Sequence, residues 1–350
     1  MNPSGAPDLK QAIADHFSKT RHIHIGPERV VVGPGAKPGL WFGVQAVVAA
    51  GDEILCPDPG FPSYENMAKV FGCVPVRYDA LSNDLAAELK KHLTAKTKVV
   101  IINSPSNPTG RVLSKDELKA IAEVFLPRKD VWIVSDEIYC HLTYEDGKTS
   151  DGGDDDNLPT TPSIASFPEL LDRTIVVDGF SKAFQMTGWR LGFVICQPEL
   201  AKKLHLLMTH AIGCTASFTQ VAGVAALTHK GRGKAIAEVV AEYRKRRDFV
   251  VSRMNAMPGV RCEAPTGAFY AFADVSGVGI PARELCDRCL QEGHVAILPG
   301  GDFGPKGENF VRISYVGDLD VLKEGMDRME KVVRMVANEK DSPSKKKARN

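Results

Sequence analysis

Gly179-Phe180-Ser181-Lys182-Ala183-Phe184-Gln185-Met186-Thr187-Gly188-Trp189-Arg190-Leu191-Gly192 joins two strand-like runs, Thr174 to Asp178 and Arg190 to Cys196. A lone lysine and arginine in a loop are ordinarily solvated. Here Phe180, Phe184, Met186 and Trp189 surround them, and the segment is too apolar for an ordinary surface connection. Burial disfavours the charged form of a lysine and leaves an amine suited to Schiff-base chemistry. Working outward from this loop, further β-branched runs stand at Val30 to Val32, Glu53 to Cys56, Cys73 to Arg77, Lys98 to Asn103 and Val131 to Asp136. Helical spacing separates them at Leu40 to Ala50, Leu85 to His92 and Ser114 to Phe125, the last opened by a Ser114/Glu117 capping box. This alternation predicts an α/β fold, a mostly parallel sheet of the seven-stranded type sandwiched by helices. Ligands of such sheets bind beyond the carboxyl ends of the strands, so the residues after each run are the candidates for function.

Three of those positions carry chemistry. Gly33-Pro34-Gly35-Ala36-Lys37 opens a helix, where glycines let backbone N–H groups approach a phosphate; a plain tight turn would use the same residues. Asn103-Ser104-Pro105-Ser106-Asn107-Pro108-Thr109-Gly110 follows an apolar strand and holds Asn107 between prolines, as a rigid ligand-facing amide or as a structural loop. Ser135-Asp136-Glu137-Ile138-Tyr139 brings a carboxylate and a phenol out of a buried strand. An acid there needs a cation, such as a protonated pyridine ring; a helix cap and a metal ligand are the alternatives, although no His, Asp or Cys partner at useful spacing supports a metal.

Beyond a long helical stretch from Lys230 to Met257 the pattern is mixed, with strands at Ala268 to Phe272 and Phe310 to Ser314 and helices at Pro281 to Glu292 and Asp318 to Asn338. This predicts a smaller α+β domain at 258–338, after a large domain at 29–257, with 1–28 joining the smaller one. Glu145 to Pro162 reads as a surface excursion, and 339–350 as a disordered basic tail whose Lys345-Lys346-Lys347-Ala348-Arg349 run resembles a nuclear-import patch but is better read as a solvated terminus. Cys286 and Cys289 form a CxxC on the helical face of Leu285 and Leu290, expected to be core packing. A net charge of +1 supplies no field for nucleic acid or an anionic membrane, no segment has the length of an apolar span, and the cysteines are scattered as reduced thiols are, so a cytoplasmic protein is expected.

The order of an NPTG loop, an SDEIY strand end, an SK…GWRLG lysine loop and a late NFVRIS strand resembles the class I/II pyridoxal-phosphate-dependent aminotransferases of fold type I, over nearly the whole chain. The resemblance implies transamination between an α-amino acid and a 2-oxo acid, with pyridoxal 5′-phosphate on Lys182 as a Schiff base. It implies that Asp136 pairs with the pyridine nitrogen, that Asn107 and Tyr139 donate to the phenolic oxygen, and that Phe61 stacks on the ring. Gly35, Ala36, Lys37, Ser181 and Arg190 match the phosphate cradle, Arg312 matches the arginine that holds the substrate's α-carboxylate, and Asn107 is also expected to meet the substrate. Freed by the incoming amino acid, Lys182 becomes a general base and acid between Cα and the cofactor's C4′. Relatives are homodimers. A carbon–sulfur lyase, a decarboxylase or a cyclase would use the same lysine and aspartate, and a binding module without turnover is the reading from another class.

Two departures stand out. Gly179 sits where many relatives place a hydroxyl for the phosphate. The chain also starts, at Met1-Asn2-Pro3-Ser4-Gly5, where relatives are in mid-segment, so the resemblance implies that an arm covering the substrate and contacting the partner is missing. The 350-residue chain is therefore expected to bind cofactor more weakly than an upstream-extended version; equal dissociation constants would count against this.

Overall fold

The computed structural model describes residues 3–144 and 158–341. Strands β1 (Val30–Gly33), β2 (Glu53–Asp58), β3 (Val74–Asp79), β4 (Thr97–Asn103), β5 (Trp132–Asp136), β6 (Thr174–Gly179) and β7 (Gly192–Ile195) form one sheet in the order β1-β7-β6-β5-β4-β2-β3. Strands β2 to β6 pair in parallel, and β7 runs antiparallel to both of its neighbours. In β4, Val99, Val100, Ile101 and Ile102 are all buried. Helices on both faces make this run continuously apolar rather than alternating, and each such side chain contributes roughly 1.5–3 kcal/mol.

One face packs against α2 (Ala36–Gln45), α3 (Ser63–Val70) and α7 (Pro198–Ala211). The other packs against α1 (Pro7–Arg21), α4 (Leu85–His92), α5 (Lys115–Phe125), the single turn α6 (Pro168–Leu171) and α8 (Ser217–Thr228). The expected capping box is present: Ser114 Oγ accepts from the Glu117 amide, and the Glu117 carboxylate accepts from the Ser114 amide. Helix α2 begins at Ala36 rather than near Leu40. Pro38 falls in its first turn, where a backbone N–H has no intrahelical acceptor to lose.

After α9 (Arg232–Asn255), strands β8 (Arg261–Cys262), β9 (Tyr270–Asp274), β10 (Leu298–Pro299) and β11 (Phe310–Ser314) form an antiparallel sheet in the order β10-β11-β9-β8, backed by α10 (Ala282–Gln291) and α11 (Leu319–Asp341). Ile236, Val240, Tyr243, Val250 and Met254 place α9 in the core of this smaller sheet, so that unit starts before the expected residue 258. Helix α1 departs further from expectation. Leu9, Ile13 and Phe17 pack with Val30, Val32, Val176 and Phe193 of the large sheet, so the N-terminal segment does not join the smaller unit.

On α10, Leu285, Cys286 and Cys289 are buried as expected, but Leu290 is 56% exposed and does not share their face. Of the expected surface excursion, 145–157 lies outside the described residues, and Leu158, Pro159 and Thr161 are buried rather than exposed. The basic run at 345–349 also lies outside them. Among the described residues, no helix is long and apolar enough to cross a membrane.

A buried ion pair ties α1 to the end of β5. Arg21 Nη2 lies 2.6 Å from Glu137 Oε2, and Ser135 and Ser163 donate to Oε1 of the same carboxylate. Arg21→Ala leaves that charge buried without its cation and is expected to cost about 3–5 kcal/mol of unfolding free energy in urea titrations of the apoprotein. A loss below about 1 kcal/mol would mean that the two serines alone satisfy Glu137.

Candidate active site

The register sets Asn103 beside Asp136 and aligns Gly33, Gly192 and Gly179 across β1, β7 and β6, all at the carboxyl edge of the parallel strands. Beyond that edge lies a cavity of about 480 Å³. Ala36, Lys37, Phe61, Asn107, Asp136, Tyr139, Ser181, Lys182, Arg190 and Arg312 all line it, and Gly35 caps the helix whose first residue is Ala36. Every candidate residue from the sequence is thus at this one place.

Asp136 Oδ2 accepts a hydrogen bond from the Tyr64 hydroxyl at 2.7 Å, and Oδ1 accepts a longer one from the Ile138 amide at 3.3 Å. Burial pushes the Asp136 carboxyl above the ordinary aspartate range; the Tyr64 and Ile138 donors pull it back. Asn103 Nδ2 donates to the Asp136 carbonyl, while its Oδ1 accepts from the Asn107 amide, locking the ends of β4 and β5 to the loop between prolines.

Lys182 is half-buried, its Nζ 5.4 Å from the ring centre of Tyr139 and 5.2 Å from that of Phe269. Burial lowers its pKa below that of an ordinary lysine, against the pull of Asp136 and with the help of Arg190 and Arg312. In its loop Phe180 is buried as expected, but Trp189 is 48% exposed, so the arginine next to it has a wet outer side.

At one end of the cavity, Gly35 adopts φ +95° at the start of α2, whose first amides lack intrahelical acceptors. Arg190 Nη2 reaches the Pro34 carbonyl and Nη1 the Thr187 carbonyl. A Cβ on Gly35 would collide with the Arg190 guanidinium, and one on Gly192 with the backbone of Ala36. A Cβ on Gly179 would press to 2.9 Å from Gly192 Cα, so a hydroxyl residue does not fit there without displacing β7. The Lys37 ammonium sits 5.1 Å from the centre of the Phe61 ring.

At the other end, the Arg312 guanidinium lies between Tyr270 and Phe303, at 4.4 and 4.6 Å, and donates from Nη1 to Asn107 Oδ1 at 2.8 Å. Its buried Nε has no partner among the described residues, which leaves donor capacity for an anion. Tyr139 and Tyr270 share a hydroxyl–hydroxyl hydrogen bond of 2.8 Å. Tyr64, Asn103, Tyr270 and Phe303 are therefore parts of the site that sequence reading missed; only the Asn103 position, directly after an apolar run, carried a signal.

Facing α1 rather than the cavity, Cys140, His141 and Asp178 bring a sulfur, a ring nitrogen and a carboxylate oxygen within 4.8 Å of one another. Cys140 Sγ donates to Asp178, the Gly179 amide caps the same carboxylate, and His141 bonds to the Pro159 carbonyl and to His16. No metal set had been expected from the sequence; the Cys140 thiol bonds to the Asp178 carboxylate, and the His141 nitrogens meet Pro159, Thr160 and His16 instead.

An amide-and-arginine cradle, a carboxylate at a strand end, a half-buried amine and a second arginine with spare donors share one cavity and have the chemistry that pyridoxal phosphate and an amino-acid carboxylate call for. Comparison with known proteins agrees. Residues 1–329 match the family model described as aminotransferase class I and II. The chain is 37% identical over 334 residues to an aspartate aminotransferase of Pyrococcus horikoshii, covering 94% of this chain and 82% of that protein. It is 36% identical over 335 residues to aromatic-amino-acid aminotransferase 2 of Thermococcus litoralis, with coverage of 94% and 82%. The crystal structure of an aromatic aminotransferase from Pyrococcus horikoshii superposes with a TM-score of 0.88 at 37% identity, covering 96% of this chain and 87% of that one. With the fold, the cavity and these relatives in agreement, the chain belongs to the class I and II aminotransferases and is a pyridoxal-phosphate-dependent transferase.

Proposed function

We propose that the chain is a transaminase that moves an amino group between an α-amino acid and a 2-oxo acid, with Lys182 as the residue that holds pyridoxal phosphate. One observation carries this reading: an amine whose pKa is lowered by burial shares a single cavity with Asp136 and with an arginine that has unused donors. When bound, the cofactor supplies the electron sink for the pair left on Cα as its proton departs.

The residues divide the remaining work. Gly35, Ala36 and Lys37 offer backbone amides, and Ser181 and Arg190 side-chain donors, to the phosphate. Phe61, which lines the cavity, would stack on the ring. Asp136 keeps a proton on the ring nitrogen, and Asn107 and Tyr139 donate to the phenolic oxygen. Arg312, with Asn107 fixing its plane, grips the substrate α-carboxylate through a fork that a lysine lacks. Lys182 Nζ, neutral at lower pH than an ordinary lysine, takes the proton from Cα. The Arg312 and Lys182 contacts are made to atoms common to α-amino acids. The printed names of the relatives include aspartate and aromatic enzymes, so both donor types belong in the first substrate panel, and a homodimer is the assembly the family resemblance favours.

Added pyridoxal phosphate should give a visible absorbance band, and borohydride reduction followed by peptide mass mapping should place the pyridoxyl group on Lys182. Lys182→Ala should abolish that adduct and slow transamination by at least about 10⁴-fold; a pyridoxyl mass on any other lysine would overturn the assignment. Product analysis that finds ammonia or carbon dioxide instead of the 2-oxo acid would replace the transaminase with a lyase or a decarboxylase.

Arg312→Gln should lower kcat/KM for every amino donor by about 10–100-fold, as loss of a charge-assisted hydrogen bond predicts, with cofactor affinity unchanged. An equal fall in cofactor affinity would make Arg312 a structural prop for Asn107 instead.

A further inference from the structure

Asp136 has an unusual set of supports, and the strongest of them lies outside the motifs discussed so far. Tyr64, on α3, is 1% exposed, and its hydroxyl donates to Asp136 Oδ2 at 2.7 Å. Among the described residues, the only other donor to that carboxylate is the Ile138 amide at 3.3 Å. The Tyr64 ring also meets Phe61 edge-on, with centroids 5.6 Å apart, and the Tyr64 amide bonds to the Phe61 carbonyl. A four-residue segment thus braces both the cavity-lining aromatic ring and the carboxylate at the end of β5.

We propose that Tyr64 is a positioning residue: by donating to Asp136 Oδ2 it fixes the Asp136 rotamer and makes the carboxylate a weaker base, so that the proton they share stays on the cofactor's ring nitrogen. This rests on the reading of Asp136 as the partner of that nitrogen. The balance is set by competition between two basic atoms for one proton. Burial alone raises the proton affinity of the carboxyl, and the groups facing it act in both directions. Tyr64 from α3 and Lys182 from the β6–β7 loop favour the anion, while Glu137, next in the chain, disfavours it. Burial and the Asp136 charge both raise the pKa of the Tyr64 phenol, so it stays a donor at every working pH. Without the phenol the proton moves toward Asp136, the ring withdraws electrons less strongly, and the nitrogen joining Lys182 to the cofactor becomes more basic.

The test is a pH titration of the bound cofactor's visible absorbance in four holoproteins: unsubstituted, Tyr64→Phe, Asp136→Asn and the double variant, with pyridoxal phosphate dissociation constants measured alongside. Tyr64→Phe is expected to raise the absorbance pKa by about one unit, as loss of one hydrogen bond to a charged group implies, and to lower kcat by about tenfold with KM for the amino donor little changed. In the Asp136→Asn background the same substitution should shift the pKa by less than about a third of that, because its effect runs through the carboxylate. An unchanged pKa in Tyr64→Phe, or equal shifts in both backgrounds, would overturn the proposal. If Tyr64→Phe fails to fold while the double variant folds, the hydroxyl is needed only when the carboxylate is present, which supports the coupling; if neither folds, Tyr64 is a general structural element and the proposal is lost. Should Asp136→Asn itself leave the absorbance pKa and cofactor affinity unaltered, the Asp136 reading falls first; an Asp136→Asn shift without a Tyr64→Phe shift removes the Tyr64 proposal alone.

Discussion

Asp136 leaves the sheet at the carboxyl end of β5 with 7% of its surface exposed, where an isolated ionised carboxylate loses several kcal/mol of solvation. Two protein donors among the described residues offset part of that penalty, and in the proposed function a protonated ring would offset more. The surroundings follow from this demand. Asn103 pins the backbone of Asp136, and Tyr64 pins its side chain. Lys182, too buried to hold its proton as firmly as a surface lysine, stands close enough for each group to shift the other's protonation. Behind the same strand end, the Arg21–Glu137 pair repeats the theme, but there the protein supplies the cation itself.

Much of this was legible because function in an open α/β sheet collects where strands end. Apolar runs are easy to see, and the residues that follow each one are the candidates; Asp136 and Asn107 were found this way, and Lys182 by the apolar residues around it. Arg312 lies within a strand and needed its family motif. Tyr64 gave no such signal. A tyrosine at a buried helical position is ordinary core, and only the meeting of α3 with β5, 72 residues apart, aims its hydroxyl at a carboxylate. Tyr270 was hidden for the same reason, since its partner lies 131 residues away. Helices α1, α3, α7 and α8 also went unread. Helix α8 illustrates why: its buried residues are Thr219, Gln220, Gly223 and Leu227, a set too polar and too small to look like a core stripe. Gly179 shows the opposite limit, because its missing hydroxyl looked like a loss until the alignment of three glycines across neighbouring strands showed that no side chain fits there.

The two sheets meet through the site rather than beside it. Arg312 belongs to β11 of the smaller sheet, yet its hydrogen bond goes to Asn107, on the loop after β4 of the larger one. Tyr270, on β9, reaches back to Tyr139 beyond β5 in the same way. In the proposed reaction, a carboxylate drawn to the unused donors of Arg312 would be gripped by one unit while the ring nitrogen would be held by the other. Each ligand contact acts on the seam between them as well as on the ligand. The Arg312 guanidinium cannot move without disturbing Asn107, and Asn107 is tied through Asn103 to the backbone of Asp136. In the proposed reaction, that short chain of hydrogen bonds would make recognition of the substrate carboxylate and fixation of the cofactor ring parts of one mechanical unit, with Lys182 in the same cavity.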